Sequence, residues 1–453
     1  MEAHNATDAL PVVRRAEALA TGVGIMADRD GEGRETLNEY RTRGGYPPLA
    51  EPSAIRAAVR AAEVRGAGGA GFPTAVKLDT VAAAPGPRVA VANGEEGEPA
   101  SAKDRRLLRN RPHLVLDGLR HAAHAVGADT AFVYVSDAEA AASVRQALAE
   151  LAEDGLGAGA TDSAGPDPVG PAGLRLPAFA PTLVEVTPSY VAGEETAVVR
   201  ALGGDVALPL PKPPRPYEQG VGGRPTLVSN VETLARVALA ARGEPGASAG
   251  DTVLLTVVAG GDAWVCEAEA TAAVAAAVER VRGSVDGVSA VLMGGFAGGI
   301  WRPDVLGAAA SHDTLRAHGS LLGCGAVILV EDGDCPVAAA ADAASFLAAS
   351  SAGQCGACVR GTHVAAEQLI AIARGVGTAE NLALLRRRTA ALPGRGNCAL
   401  PDALAMLLRT LDEHFAAELD AHLAGPCQVC AARVPEQPTT ATRFRVRLPH
   451  ATA

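Results

Sequence analysis

The stretch Arg65-Gly-Ala-Gly-Gly-Ala-Gly-Phe-Pro-Thr-Ala-Val-Lys77 sets four closely spaced glycines ahead of a lysine. Glycine lets main-chain N–H groups approach an anion without Cβ interference, and a lysine adds a point charge. The stretch therefore reads as a cradle for a phosphate-bearing ligand, a nucleotide or a flavin. Gly66, Gly68 and Gly71 satisfy G-x-G-x-x-G, but that fingerprint needs a strand before it and a helix after it. Here Ala54–Arg65 reads as a helix, with Ile55, Ala58, Val59 and Ala62 on one face. The simple dinucleotide-fold reading loses its context, and a glycine-rich surface turn is the plainer alternative. Asn93-Gly-Glu-Glu-Gly-Glu-Pro-Ala-Ser-Ala-Lys-Asp-Arg105 brings a second polar cluster. A different chemistry is signalled by Cys355-Gly-Ala-Cys358 and Cys427-Gln-Val-Cys430. Two such pairs suit either a tetrahedral zinc or an iron–sulfur cluster.

The elements that position these groups must come from a chain of 453 residues with 48% hydrophobic side chains, enough for about three domains. A formal net charge of −11 argues against a nucleic-acid partner, which draws on clustered Lys and Arg. The basic run Arg105, Arg106, Arg109 and Arg111 reads as a solvated helix face. The first residues carry acids and no apolar segment, unlike a secretory signal. No run approaches the roughly 18 apolar residues of a membrane span. With eight cysteines, four of them in C-x-x-C pairs, the expectation is a cytoplasmic protein that ligates metal, not one built on disulfides. Cys266, Cys324 and Cys335 read as small buried hydrophobes, and His113, His121 and His124 as packing or surface residues on one helix.

Residues 1–50 read as an extension or docking arm with a helix around Arg14–Ala20. Across 51–245 helical segments such as His113–Ala125 alternate with apolar runs at Arg88–Ala92, Ala131–Val135 and Leu183–Val186, the signature of an α/β layer structure. Ala158–Gly173 is a surface loop by composition. Across 250–332 come strands at Asp251–Val258, Ala290–Met293 and Ala326–Val330 around a helix near Thr271–Val281. Residues 335–425 are helical by periodicity, at Val337–Ala349, Gly361–Ala373, Ala379–Ala390 and Pro401–Leu423. The segment 434–453, of Pro, Thr and Arg, reads as a disordered tail.

The order of four blocks is informative: the glycine-rich loop, Asn93-Gly-Glu-Glu-Gly-Glu-Pro99, Pro188-Ser-Tyr-Val-Ala-Gly-Glu-Glu-Thr-Ala197, and Gly223-Arg-Pro-Thr-Leu-Val-Ser-Asn-Val-Glu-Thr233. From about Pro52 to Gly425 the chain resembles the NADH-binding flavoprotein subunit of respiratory complex I, the family of the 51 kDa subunit, which includes diaphorase subunits of soluble hydrogenases and formate dehydrogenases. The resemblance implies an α/β fold in three parts: an FMN-binding α/β domain, a small β-grasp domain of the SLBB type, and a C-terminal helical bundle carrying the iron–sulfur motif. It implies FMN cradled by Gly66, Gly68, Gly69 and Lys77, with Asn93, Glu95, Glu96, Tyr190, Gly193, Glu194, Ser229 and Asn230 around the ring and ribityl chain. It places NAD(P)H against Phe72, Glu98, Glu195 and Lys212, of which Glu98 and Glu195 are the expected catalytic acids. Where the family stacks adenine between two aromatic rings, this chain has Thr80 and Arg215. Arg215 suits stacking by its guanidinium or pairing with a 2′-phosphate.

The same resemblance implies a [4Fe–4S] cluster on Cys355, Cys358, Cys398 and a fourth thiolate, but the first ligand position is Ala352. A cubane with another fourth ligand, a [3Fe–4S] cluster and no cluster all stay open; Cys427 is the expected fourth ligand, reached if the helix around Asp412 bends. A structural zinc on Cys355, Cys358, Cys427 and Cys430 is the alternative. The expected function is electron transfer from NAD(P)H through FMN and the cluster to a ferredoxin-like or other iron–sulfur protein, without membrane insertion. Two rivals are an FMN-dependent reductase of a small metabolite that uses no nicotinamide, and a non-catalytic, zinc-holding scaffold.

Overall fold

The structure, a computed structural model, describes residues 10–14, 24–26, 33–155, 179–248 and 250–449. The loop expected at Ala158–Gly173 and nearly all of the helix expected at Arg14–Ala20 lie outside the described residues; Arg14 itself ends a short strand, β1 (Val12–Arg14).

Helices α1 (Leu37–Thr42), α2 (Pro52–Ala61) and α3 (Thr74–Ala83) lead into β2 (Arg88–Gly94). Then follow α4 (Lys103–Asn110), α5 (Pro112–Val126), β3 (Ala128–Val135), α6 (Ala138–Glu153), β4 (Thr182–Glu185), α7 (Glu195–Leu202), β5 (Thr226–Asn230) and α8 (Val231–Arg242). The four strands form one parallel sheet in the order β4-β3-β2-β5. Side chains alternate across a strand, so Val89 and Val91 pack with Tyr134, Val228 and Val198 on one face. Ala90, Ala92, Val133 and Leu227 pack with α5 and α8 on the other. Burial on both faces explains why these strands read as unbroken apolar runs. Helices α5 and α8 meet closely at Gly118, where a Cβ would lie 1.9 Å from the Leu234 carbonyl oxygen.

The next sheet has six strands in the order β1-β7-β6-β10-β8-β9, built from β6 (Thr252–Ala259), β7 (Asp262–Glu269), β8 (Val288–Met293), β9 (Ile300–Trp301), β10 (Ala326–Glu331) and the N-terminal β1. Strands β6 and β7 are an antiparallel hairpin in register from Thr252↔Glu269 to Ala259↔Asp262. Helix α9 (Val274–Arg282) packs Val274 and Val278 against Val253, Leu255 and Val257 on one face. Helix α10 (His312–Ala317) follows β9. The other face, with Leu292, Ile328 and Val330, packs on α11 (Pro336–Ala349). The sequence pattern yields β6, α9, β8 and β10 but not β7 or β9, nor the addition of β1 to this sheet.

Beyond α11 a π-turn at Ala357–Thr362 opens α12 (His363–Ala373), followed by α13 (Ala379–Ala391), α14 (Leu400–His414), α15 (Ala416–Leu423) and α16 (Gln428–Arg433). The apolar run Pro401–Leu423 is two helices, because Phe415 leaves helical geometry at φ −130, ψ 30 with the Arg302 guanidinium 4.1 Å over its ring. The segment read as a disordered tail is engaged as far as it is described. Thr439 N–H donates to Ser345 Oγ at 2.9 Å, Val446 N–H to the Pro99 carbonyl at 2.8 Å, and Val13 N–H to the Arg447 carbonyl at 2.8 Å. Phe444 and Val446 are buried in the core, so a few apolar anchors outweigh the polar composition. Residues 450–453 lie outside the described residues. Among the described residues no helix is long and apolar enough to cross a membrane.

Candidate functional site

The site forms at the carboxyl ends of β2 and β5, paired Ala92↔Ser229 and Asn93↔Asn230. The chain builds outward from β2 to β3 and β4 on one side and places β5 on the other, so a topological switch point opens there, the usual ligand crevice of a parallel sheet. The glycine-rich loop joins α2 to α3 across this crevice. It is closed by Gly66 N–H donating to the Phe72 carbonyl at 2.8 Å and tied to α8 by Ala67 N–H donating to Thr233 Oγ1 at 2.9 Å. No strand precedes the loop, as the sequence pattern indicates.

A cavity of about 550 Å³ lies under the loop, within the roughly 300–1,000 Å³ of small-molecule sites. Gly66, Gly68, Phe72, Lys77, Asn93, Gly193, Glu194, Glu195, Lys212, Ser229 and Asn230 line it. A second cavity of about 430 Å³ shares Gly68, Ala70, Asn93, Gly193, Glu194 and Asn230, adds Gly69, and continues past Glu95, Glu96, Glu98 and Tyr190 to Cys324 and Cys398. All the expected flavin and nucleotide residues thus come together, and the space between them runs to the cysteines. The Glu95–Glu98 loop and the Ser189–Gly193 turn touch at glycines: a Cβ on Gly97 would lie 2.6 Å from the Tyr190 carbonyl oxygen, and one on Gly193 2.8 Å from that of Glu95.

At the first cavity, Lys77 Nζ donates to the Val228 carbonyl at 2.7 Å and lies 3.7 Å from Glu195. Burial lowers its pKa against the opposing pull of Glu195. Glu194 caps α7, accepting from the Thr196 and Ala197 N–H groups, and takes Lys212 Nζ at 2.6 Å. Lys212 also reaches Glu195 at 3.4 Å, and Arg215 comes within 4.0 Å of it. Thr80, Arg215 and Tyr217 line this end. Tyr217 places an aromatic ring two residues beyond Arg215, the position at which the resemblance implies a ring that this chain lacks.

At the second cavity, Glu95 accepts from Ser189 N–H at 3.2 Å through one oxygen while its buried Oε2 has no partner. Burial pushes its carboxyl up to about 7. Burial likewise raises Glu98 to about 7, although Phe296 N–H donates to it at 3.1 Å. Burial would raise Glu96 too, but Arg105 and Lys103, with donors from Ser101 and Asp104, hold it below the usual carboxylate value. Beneath lies a network that the sequence pattern does not reveal: buried Lys103 sits 2.8 Å from Asp104 and 3.0 Å from Glu232, Asn230 Nδ2 donates to Asp104 at 2.7 Å, and Arg236 pairs with Glu232 at 2.8 Å. Each is an ordinary polar residue in sequence, and only the fold gathers them.

The Cys358 thiol interacts electrostatically with Cys398, Cys355 and the Ser351 hydroxyl. Ala352 packs against the same core. Cys427 is not the expected neighbour of this trio. The break at Phe415 turns α15 back, and Cys427 groups with Cys335, His422 and Cys430, whose ligand atoms all lie within 4.8 Å of one another. Cys335, read as a mere buried hydrophobe, belongs to that group, and the zinc set drawn from Cys355, Cys358, Cys427 and Cys430 is split between the two groups.

A glycine loop over the switch point of a parallel sheet, with a cavity that reaches Cys324 and Cys398, has the layout of a cofactor-binding redox protein. Residues 59–239 match the Nuo51 FMN-binding domain and residues 338–422 the NADH-ubiquinone oxidoreductase-F iron-sulfur binding region. The chain is 33% identical over 408 residues to an F-type subunit of the NADH-quinone oxidoreductase of Rhizobium meliloti (strain 1021), covering 85% of this chain and 94% of that protein. It is 29% identical to the F-type subunit of the NADH-quinone oxidoreductase of Rickettsia massiliae (strain Mtu5), covering 81% and 88%. The NAD+-reducing [NiFe]-hydrogenase superposes in its H2-reduced state with TM-score 0.69 at 28% identity, covering 82% of this chain and 63% of that one. In the air-oxidized state the values are 0.71, 26%, 88% and 70%. The chain belongs to the family of F-type subunits of NADH-quinone oxidoreductase, and FMN and an iron–sulfur cluster are the cofactors of its two matched regions. The residues present fit FMN: a Cβ on Gly69, which has φ +128 and open space around it, would project into unfilled volume, and the unpaired Glu95 oxygen awaits a donor. For the cluster three thiols fit and Ala352 withholds a fourth.

Proposed function

We propose that this chain oxidises NADH at FMN and passes the electrons through an iron–sulfur cluster to an iron–sulfur partner protein. The observation that carries the reading is the pair of cavities sharing six residues, one lined by Lys77, Lys212 and Arg215 and the other ending at Cys398. FMN supplies the chemistry of taking a hydride's electron pair and releasing it in single electrons. The glycine loop of Gly66, Gly68 and Gly69 with Lys77 binds the flavin phosphate. Asn93, Ser229 and Asn230 would hold the ribityl chain and ring, and Tyr190 lines the second cavity together with Cys324 and Cys398. Glu195 pairs with Lys77 on the flavin side and with Lys212 on the side facing the dinucleotide phosphates, while Phe72 and Tyr217 give the bases apolar faces. Glu95 and Glu98, which titrate at about 7, can hold or release a proton near neutral pH and so would limit the negative charge beside the ring.

Cys355, Cys358 and Cys398 would hold a [4Fe–4S] cluster in this reading, and the Ser351 hydroxyl, which interacts with Cys358, would take the corner that Ala352 leaves. The division into an FMN-binding domain over 51–245, an SLBB-like β-grasp domain over 250–332 and an iron–sulfur helical bundle over 335–425 is supported by the wrapping of a mixed sheet around α9 and by the run of helices from α11. The test is an anaerobic titration of the holoprotein with NADH and, separately, NADPH. NADH bleaches the flavin absorbance and a reduced-cluster paramagnetic signal follows. A flavin-loaded protein that neither nucleotide reduces overturns the proposal.

A further inference from the structure

We propose that Cys335, His422, Cys427 and Cys430 form a structural zinc site, separate from the iron–sulfur cysteines and independent of the electron-transfer reading. Cys335 Sγ lies 3.7 Å from His422 Nε2 and 3.6 Å from Cys430 Sγ, and His422 Nε2 lies 3.2 Å from Cys430 Sγ. Zinc bonds of ~2.3 Å to sulfur and ~2.0 Å to nitrogen at tetrahedral angles put neighbouring donors roughly 3.5–3.8 Å apart. The two separations from Cys335 fall in that range, the His422–Cys430 separation is roughly 0.3 Å shorter than its lower end, and all four donors lie within 4.8 Å of one another, the spacing of one coordination tetrahedron. These separations are too long for a disulfide, whose sulfurs sit ~2.05 Å apart, and all eight cysteines are free. A cubane cluster is also excluded, because its irons and sulfides would hold the four donors farther apart than 4.8 Å.

The hydrogen bonds around the donors agree. His422 Nδ1 lies 2.6 Å from the Glu418 carbonyl oxygen, to which only a protonated Nδ1 can donate, leaving the Nε2 lone pair facing the three sulfurs. A ligating histidine is held in its tautomer in this way. Cys430 N–H points at Cys427 Sγ, 3.5 Å away, in the C-x-x-C turn that opens α16. Cys335, His422 and Cys430 are buried, and among the described residues no carboxylate joins the group. Three soft thiolates and one imidazole in a closed site select zinc over magnesium or calcium.

The four ligands come from three segments: the residue before α11, the end of α15, and the start of α16. From α16 the chain runs back along α11 to the Pro99 carbonyl beside Glu98. The ion therefore fastens the C-terminal strap to the helices and, through the strap, to the wall of the second cavity.

The experiment is metal analysis and zinc-edge X-ray absorption on the full-length holoprotein. The expected result is about one zinc per chain with three sulfur and one nitrogen ligands, the sulfurs at ~2.3 Å. His422→Ala lowers bound zinc at least about tenfold, while His422→Cys keeps it with four sulfur ligands, as the loss and replacement of a single ligand require. Iron content and the cluster signal persist in His422→Cys. Zinc absent from the wild-type protein, zinc in an oxygen-dominated environment, or zinc that stays fully bound in His422→Ala overturns the assignment. Should His422→Ala not fold, the ligand count of the wild-type protein and of His422→Cys decides alone.

Discussion

Glu95→Gln stabilises the flavin-free protein above neutral pH. A carboxyl whose folded pKa is raised makes the folded state bind more protons than the unfolded one, so stability falls as pH rises from the unfolded value of 4.5 through about 7. Above that window the wild-type protein carries a buried carboxylate whose Oε2 has no partner. At 1.36 kcal/mol per pH unit of displacement, holding the proton up to about 7 corresponds to about 3 kcal/mol. Glutamine keeps an oxygen for the Ser189 N–H and never ionises. With an unfolding entropy of roughly 2.1 cal/mol/K per residue, about 3 kcal/mol shifts the Tm of a chain this long by about 3 °C. Thermal melts of flavin-stripped protein at pH 8 and pH 4 therefore show the variant melting higher at pH 8 and level with the wild-type protein at pH 4. A variant that melts lower at pH 8, or a gap that is the same at both values, refutes the reasoning.

Gly68→Val fills the space that both cavities share and lowers FMN affinity about 5- to 150-fold, as overpacking by about 1–3 kcal/mol requires; quenching of flavin fluorescence on titration measures it, and unchanged affinity would contradict the cradle. Lys103→Met leaves Asp104 and Glu232 buried without their shared cation and destabilises by about 3–5 kcal/mol, read by urea unfolding; a loss below about 1 kcal/mol would show that the network carries little. Ser351→Ala converts the cluster to the [3Fe–4S] form in air, and adding Ala352→Cys returns it to [4Fe–4S]. Paramagnetic resonance distinguishes the two, and a spectrum indifferent to Ser351 removes the hydroxyl from the ligand set.

How far the fold was legible depends on how local each signal is. The parallel strands, the glycine loop and the Asn93-Gly-Glu-Glu block declare themselves in consecutive residues, whereas the flavin and nucleotide residues of the two cavities are named through the resemblance that these blocks carry. Strand β7 escaped because Asp262-Ala-Trp-Val-Cys-Glu-Ala-Glu269 alternates small and charged residues with few β-branched ones. The break at Phe415 is set by packing under Arg302 and not by a proline or glycine, so helical periodicity ran straight through it. From that break follow the misplacement of Cys427 and the hidden group around His422. Lys103, Asp104 and Glu232 met only in three dimensions, and the strap over 434–449 is held by the few apolar residues that composition averages away.

Denaturing the anaerobically purified protein and quantifying the released flavin tests the central claim most directly. The account predicts about one riboflavin 5′-phosphate per chain. Protein that releases none, and binds none when FMN is supplied, would contradict it.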